Sequence, residues 1–201
     1  MVDGKAEFAS LPLLYPRLQA AIPHQLVNPI LADIQPLAPV STIAKKCLNP
    51  ARQLSKRGVE RVVVLVDRET RAECCATLSR AIEQPIANPV GVEVHVVLKD
   101  RAFENWLIAA VASLRSQRAR FRVSASTTRL VAPNMADNVD ALDLLKQSVR
   151  GSSYSKVSDS KRILGRADPL EMAANSRSFR RFLRCVDHPL YVDQSQRPIV
   201  K

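Results

Sequence analysis

Residues 62–69 read VVVLVDRE: five apolar residues, Val62 to Val66, running straight into Asp67, Arg68 and Glu69. A strand covered on both faces reads as an unbroken Val/Leu run, which points to a parallel sheet flanked by helices. Alternate residues of an extended chain project to one side, so Asp67 and Glu69 are expected to aim at one point, roughly 7 Å apart along the strand. Two carboxylates held that way repel unless a cation lies between them. Thr70-Arg71-Ala72-Glu73 fits the S/T-x-x-E pattern of a helix start. The acids would then sit at the carboxyl end of a strand and ahead of a helix, where open α/β sheets bind ligands.

Working outward, Val92-Glu93-Val94-His95-Val96-Val97-Leu98 is a second strand, and the helical segment over 71–83 makes the unit strand–helix–strand. A helix follows from Asp100 as its cap, with Phe103, Trp106, Leu107, Ala110 and Val111 on one face and Glu104 in the first turn. Before the strands, a helix over 6–20 is interrupted by Pro12 and Pro16, with Phe8, Leu11, Leu14 and Leu18 as its apolar face. Four prolines make 22–40 an irregular connection, and 41–58 is a basic segment divided by Pro50 and stopped at Gly58. Beyond 130, helices are expected at 137–149, 158–165 and 176–186. In the last, Phe179, Phe182, Leu183 and Val186 form an apolar stripe. Arg177, Arg180, Arg181 and Arg184 lie about 200° around the axis as a strip fit for phosphates. The expected organisation is a single domain over 1–201, an α/β core over 1–115 and a basic helical extension over 116–201.

The chain has 201 residues, 30 basic and 19 acidic, for a net charge of +11. That excess favours polyanionic partners, and an aromatic content of 4% argues for phosphate contacts over base stacking. Four cysteines without C-x-x-C spacing speak against a zinc site or a disulfide framework, one of the Cys74-Cys75 pair being expected in the core. Five glycines and no Gly-rich loop nearly exclude a nucleotide cradle. His24 and His188 sit beside prolines with nothing to suggest catalysis, and His95 reads as a core or edge residue of its strand. There is neither an 18-residue apolar run nor a signal peptide, so a cytoplasmic protein is expected.

Several stretches carry a resemblance. Val2-Asp3-Gly4-Lys5-Ala6-Glu7 resembles the V-E-G-x-x-E opening of TOPRIM (topoisomerase–primase) domains, especially those of OLD-type nucleases. Asp67-Arg68-Glu69 looks like their D-x-D motif, and Glu104-Asn105-Trp106-Leu107 resembles the E-x-W-L segment of small stand-alone TOPRIM-like proteins. Tyr154-Ser155-Lys156 and Ser176-Arg177-Ser178-Phe179 are similar to their Y-x-K and S-x-S-F elements. The resemblance implies a metal-dependent nuclease, with Asp3, Glu7, Asp67, Glu69 and Glu104 holding Mg2+ or Mn2+. Lys156 would stabilise the transition-state phosphate, with Glu104 as a further catalytic group. It also implies nucleic acid as substrate, DNA before RNA, and an ATPase partner of the AAA or ABC type in bacterial antiviral defence. The alternative is a catalytically inactive subunit that binds nucleic acid or protein through its basic helices. Two departures stand out. Asp3 is one methylene shorter and Glu69 one longer than the pattern, changes that could compensate across one site. Only Met1 and Val2 precede Asp3, where the family has a buried first strand, so either the true start lies upstream or the domain is trimmed and inactive.

Overall fold

A computed structural model of the chain describes residues 1–193. It is an α/β fold in which a small parallel sheet is wrapped by many helices. Ahead of the sheet come α1 (Lys5–Ser10), a single 3-10 turn, α2 (Tyr15–Gln19) and α3 (Val40–Lys56). The proline-interrupted 6–20 segment is thus broken where Pro12 and Pro16 remove backbone donors. In contrast, α3 runs unbroken through Pro50, with Ile43, Ala44, Cys47, Ala51 and Leu54 turned inward.

Strand β1 (Arg61–Asp67) pairs in parallel with β2 (Glu93–Lys99), their last rung being Asp67 opposite Lys99. Between them runs α4 (Cys75–Val90), which Gly91 ends in the left-handed conformation at φ 72°. The helix starts two residues beyond Glu73, so the expected capping box over 70–73 does not form. Arg71 spends its guanidinium on the carbonyls of Pro36 and Ala38 and on Glu73, holding that stretch as a turn. Neither Cys74 nor Cys75 is buried, whereas Cys47 is.

Beyond β1, on the edge away from β2, the sheet is extended by a single rung. Val2 bridges Leu65 on one side and Leu31 on the other, both in parallel. Its N–H donates to Ile30, its carbonyl accepts from Ala32, and the Met1 carbonyl accepts from Leu65. Two residues therefore suffice to seat Asp3 beside the end of β1.

Each face of the sheet has its own core. Val62, Val64, Val66, Val94, Val96 and Leu98 join the buried residues of α3 and α4. Leu65 and Val97 face the other way, into a cluster made with α5 (Phe103–Ala109), α6 (Val111–Ser116) and the C-terminal helices. Those are α7 (Ala125–Val131), α8 (Ala141–Ser148), α9 (Lys156–Leu164), α10 (Pro169–Asn175) and α11 (Arg177–Cys185). The helices after 116 thus cover one face of the sheet directly and share its core.

Trp106 is the hub of that second core. Its ring meets Phe179 edge-on at 5.0 Å and Phe182 at 5.5 Å, and its Nε1 donates to Ser178 Oγ at 2.8 Å. Buried Asp137 accepts from the hydroxyls of Ser176 and Ser178 and from the Ser178 N–H. Ser176 also caps α11 through the Phe179 N–H. The Ser-x-Ser-Phe stretch is a packing device in this fold. Among the described residues no helix is long and apolar enough to cross a membrane.

Candidate metal centre

Three acids from two distant stretches of sequence converge at the carboxyl ends of the strands. Asp3 follows the Val2 rung, Asp67 ends β1, and Glu7 reaches in from α1. One oxygen from each lies within 4.8 Å of the others. Gly4 permits this approach: an ideal Cβ there would stand 2.2 Å from Glu7 Oε2, so Glu7 folds back over bare backbone.

The centre of the cluster is Lys99, fully buried at the end of β2. Its Nζ donates to Asp3 Oδ1 at 2.6 Å and to Glu7 Oε1, and lies 2.9 Å from Asp67 Oδ1. The Phe103 ring closes one side, its centroid 5.6 Å from Nζ. Asp3 Oδ2 accepts the Asp67 N–H at 2.7 Å. Burial alone would lower the Lys99 pKa, but the three carboxylates outweigh it and raise it, so the ammonium is kept. Burial also raises Glu7, against the pull of Lys99. Asp67 is pushed up to about 7, first by burial, with Asp3 and Glu7 adding repulsion and Lys99 opposing.

The sign of the resulting pH dependence follows from proton counts. The native state keeps on Asp67 a proton that the unfolded chain releases near its ordinary value of 3.8. Stability from this group is present below about pH 4 and is lost as pH rises toward about 7. We expect Asp67→Asn to flatten that decline. Urea midpoints of both proteins across this range measure it, and a wild-type-minus-variant difference that grows with pH would contradict it.

Glu69 does not join the cluster. The chain turns out of the strand at Arg68, Glu69 takes a left-handed φ of 53°, and its N–H is tied to the Arg101 carbonyl. Its carboxylate is exposed. The extra methylene of Glu69 therefore compensates nothing at Asp3.

Cations held by acids rim the centre. Glu104, buried in the first turn of α5, pairs with exposed Lys156 at 2.9 Å. Burial would lower the Lys156 pKa, but Glu104 first, then Asp67 and Glu7, raise it; α9, which Lys156 opens, packs against α1, the helix of Glu7. Asp100 does not cap α5; Asn105 Oδ1 accepts the Ala102 N–H instead. Asp100 binds Arg68 at 2.9 Å and lies 4.0 Å from Arg177. Tyr154 Oη is buried without a hydrogen-bond partner among the described residues. The nearby Ser160 hydroxyl donates to the Lys156 carbonyl.

The expected arginine strip divides. Arg177 is exposed, and Arg181 and Arg184 are half-buried. Arg180 is spent inside the fold, donating to the Ala173 carbonyl and Asn134 Oδ1. Arg120, from the basic cluster at 115–122, is likewise internal: it grips Asp159 through two nitrogens at 2.8 and 2.7 Å. His24 pairs with Asp187 at 2.6 Å and His95 with Glu93 at 2.8 Å, both on the surface away from the acids.

Over residues 4–187 the chain matches the family described as Domain of unknown function (DUF4276). The chain belongs to that family. The matched span takes in Glu7, Asp67, Lys99, Glu104 and Lys156 and begins one residue after Asp3. Comparisons with curated proteins and with solved structures give no match.

The donor set fits a hard divalent cation. All three acids offer carboxylate oxygen, the ligand Mg2+ and Mn2+ prefer. Asp67 Oδ1 is buried and accepts no hydrogen bond among the described residues, though it faces the Lys99 ammonium at 2.9 Å, which leaves Oδ2 for an ion. With all three acids deprotonated, as metal binding requires, two negative charges remain once Lys99 is counted.

Proposed function

We propose that this chain is a TOPRIM-like phosphodiester hydrolase that uses Mg2+ or Mn2+ and acts on nucleic acid. The observation carrying the reading is the convergence of Asp3, Glu7 and Asp67 beside the carboxyl ends of β1 and β2, with α9, which Lys156 opens, packed against α1 and Arg177 4.0 Å from Asp100, the residue after Lys99. These three acids would hold the ion, which supplies an activated water and offsets charge on the phosphate. Lys156 meets a phosphate oxygen while Glu104 fixes its ammonium at the rim. Arg177 binds a neighbouring phosphate, steadied by Asp100. Tyr154, its phenol kept neutral by burial and by Glu104, presents an O–H to the same edge. A net charge of +11 draws the polyanion in, and of the two nucleic acids DNA is the one the TOPRIM resemblance puts first. The work is done beside an ATPase of the AAA or ABC type in bacterial defence, the partner providing the nucleotide chemistry.

The test is cleavage of supercoiled plasmid and of RNA with Mg2+ or Mn2+ by the wild type, Asp67→Asn and Lys156→Met. Metal-dependent cleavage that disappears in Asp67→Asn supports the reading. A second reading has its own observation: the Lys99 ammonium already fills the middle of the acids, as expected of a non-cleaving subunit that only binds. Wild-type protein that binds nucleic acid but cleaves neither substrate in either metal would establish that alternative.

Binding separates the arginines. Lys156→Gln and Arg177→Gln should each lessen the salt slope of duplex binding by about 0.9, the increment for one phosphate no longer neutralised. Arg180→Gln should leave the slope unchanged and lower stability by about 1–2 kcal/mol, since its donors serve the fold. A slope that responds to Arg180 and not to Arg177 would reverse these assignments.

A further inference from the structure

We infer that Lys99 stands in for a second cation, so that the centre takes one divalent ion and not a pair. The inference rests on the metal-site reading above. Paired-ion sites set two ions about 4 Å apart, bridged by shared carboxylates. Here the bridging place is filled by Lys99 Nζ, 2.6 Å from Asp3 Oδ1, 2.9 Å from Asp67 Oδ1, and bonded to Glu7 Oε1. Three carboxylates and one ammonium leave two negative charges, which one divalent ion offsets. A second ion would leave a buried pocket positive.

The oxygens give the same count. Asp3 has both engaged, Oδ1 by Lys99 and Oδ2 by the Asp67 N–H. Glu7 and Asp67 each give one oxygen to Lys99 and keep one. Glu104 stands outside the three-acid set and gives Oε1 to Lys156. The open oxygens of Glu7 and Asp67, a second lone pair on an Asp3 oxygen, and waters furnish one octahedral shell, since Mg2+ commonly keeps several waters. The ammonium has nowhere else to go: it is fully buried, on the last rung of β2, against the Phe103 ring.

The experiment titrates Mn2+ alone into the full chain, with calorimetry for stoichiometry and electron paramagnetic resonance for the state of the ion. The wild type is expected to bind one Mn2+ with the hyperfine pattern of an isolated ion. Lys99→Gln keeps a donor, on a side chain one atom shorter, but removes the charge, and should bind two ions with a spin-coupled signal. Lys99→Arg keeps the charge and should bind one. Two ions in the wild type, or still one in folded Lys99→Gln, overturn the inference and leave the metal reading standing. No ion in the wild type but one in Lys99→Gln shows that Lys99 closes the centre, overturning the inference in favour of the non-cleaving subunit. No ion in either overturns the metal reading itself. Should Lys99→Gln fail to fold, the wild-type count alone still decides between one ion and two.

Discussion

Lys99→Met is expected to destabilise the fold by about 3–5 kcal/mol, the usual cost of breaking a buried ion pair by removing one partner. Methionine matches the length of the stem, so packing against Phe103 changes little. The variant lacks the cation that sits among Asp3, Glu7 and Asp67, all held within reach of one another. It must then bind extra protons to stay folded, so its deficit should shrink at low pH. A thermal melt would show Tm lower by roughly 6–20 °C at neutral pH, from about 2–4 °C per kcal/mol in a chain of this length. Adding Mn2+ should recover part of the deficit by mass action. A Tm within about 2 °C of wild type, less than a 1 kcal/mol change would give, would mean that the ammonium contributes nothing net.

Trp106→Ala should cost about 3–5 kcal/mol, the range for deleting a large buried aromatic. Trp106 is fully buried and stands between α5 and α11. Its removal opens a cavity among Phe103, Phe179 and Phe182 and takes the indole donor from Ser178. Because α5 also carries Glu104, loosening it should slacken the hold on Lys156 as well. Chemical denaturation with phosphate-backbone binding measured alongside would show both effects. Retention of wild-type stability would mean that the aromatic cluster repacks without a void.

The strand–helix–strand unit is legible in the sequence because its apolar run has no other solution than a parallel sheet covered twice. The convergence of Asp3, Glu7 and Asp67 is carried by the family resemblance, and the geometry brings those acids together. Glu69 misleads because period-two logic holds only while the chain stays extended, and it turns at Arg68. The capping box misleads because Arg71 has stronger partners across the chain, at Pro36 and Ala38. The first lane of the sheet is invisible because one rung leaves no periodicity to detect. Lys99 does carry a signal, though a faint one: it ends the run Val94 to Leu98 at the same parity as Val97. A charge placed there must be buried, and the facing position on β1 is an acid.

The pairing of Asp67 with Lys99 also has a bearing on how the chain finds its fold. Hydrophobic strands this uniform are poor at specifying alignment, since valine beside valine looks alike at any offset. If β2 slid by one residue against β1, Leu98 or Asp100 would stand where Lys99 belongs, and the ammonium would be driven into the aliphatic layer under α3 and α4. Mispaired arrangements thus carry an unpaired buried charge, which the correct one does not. The acid cluster acts as a registration key for a sheet whose greasy interior cannot supply one, and it closes only when residues 3, 67 and 99 have all arrived.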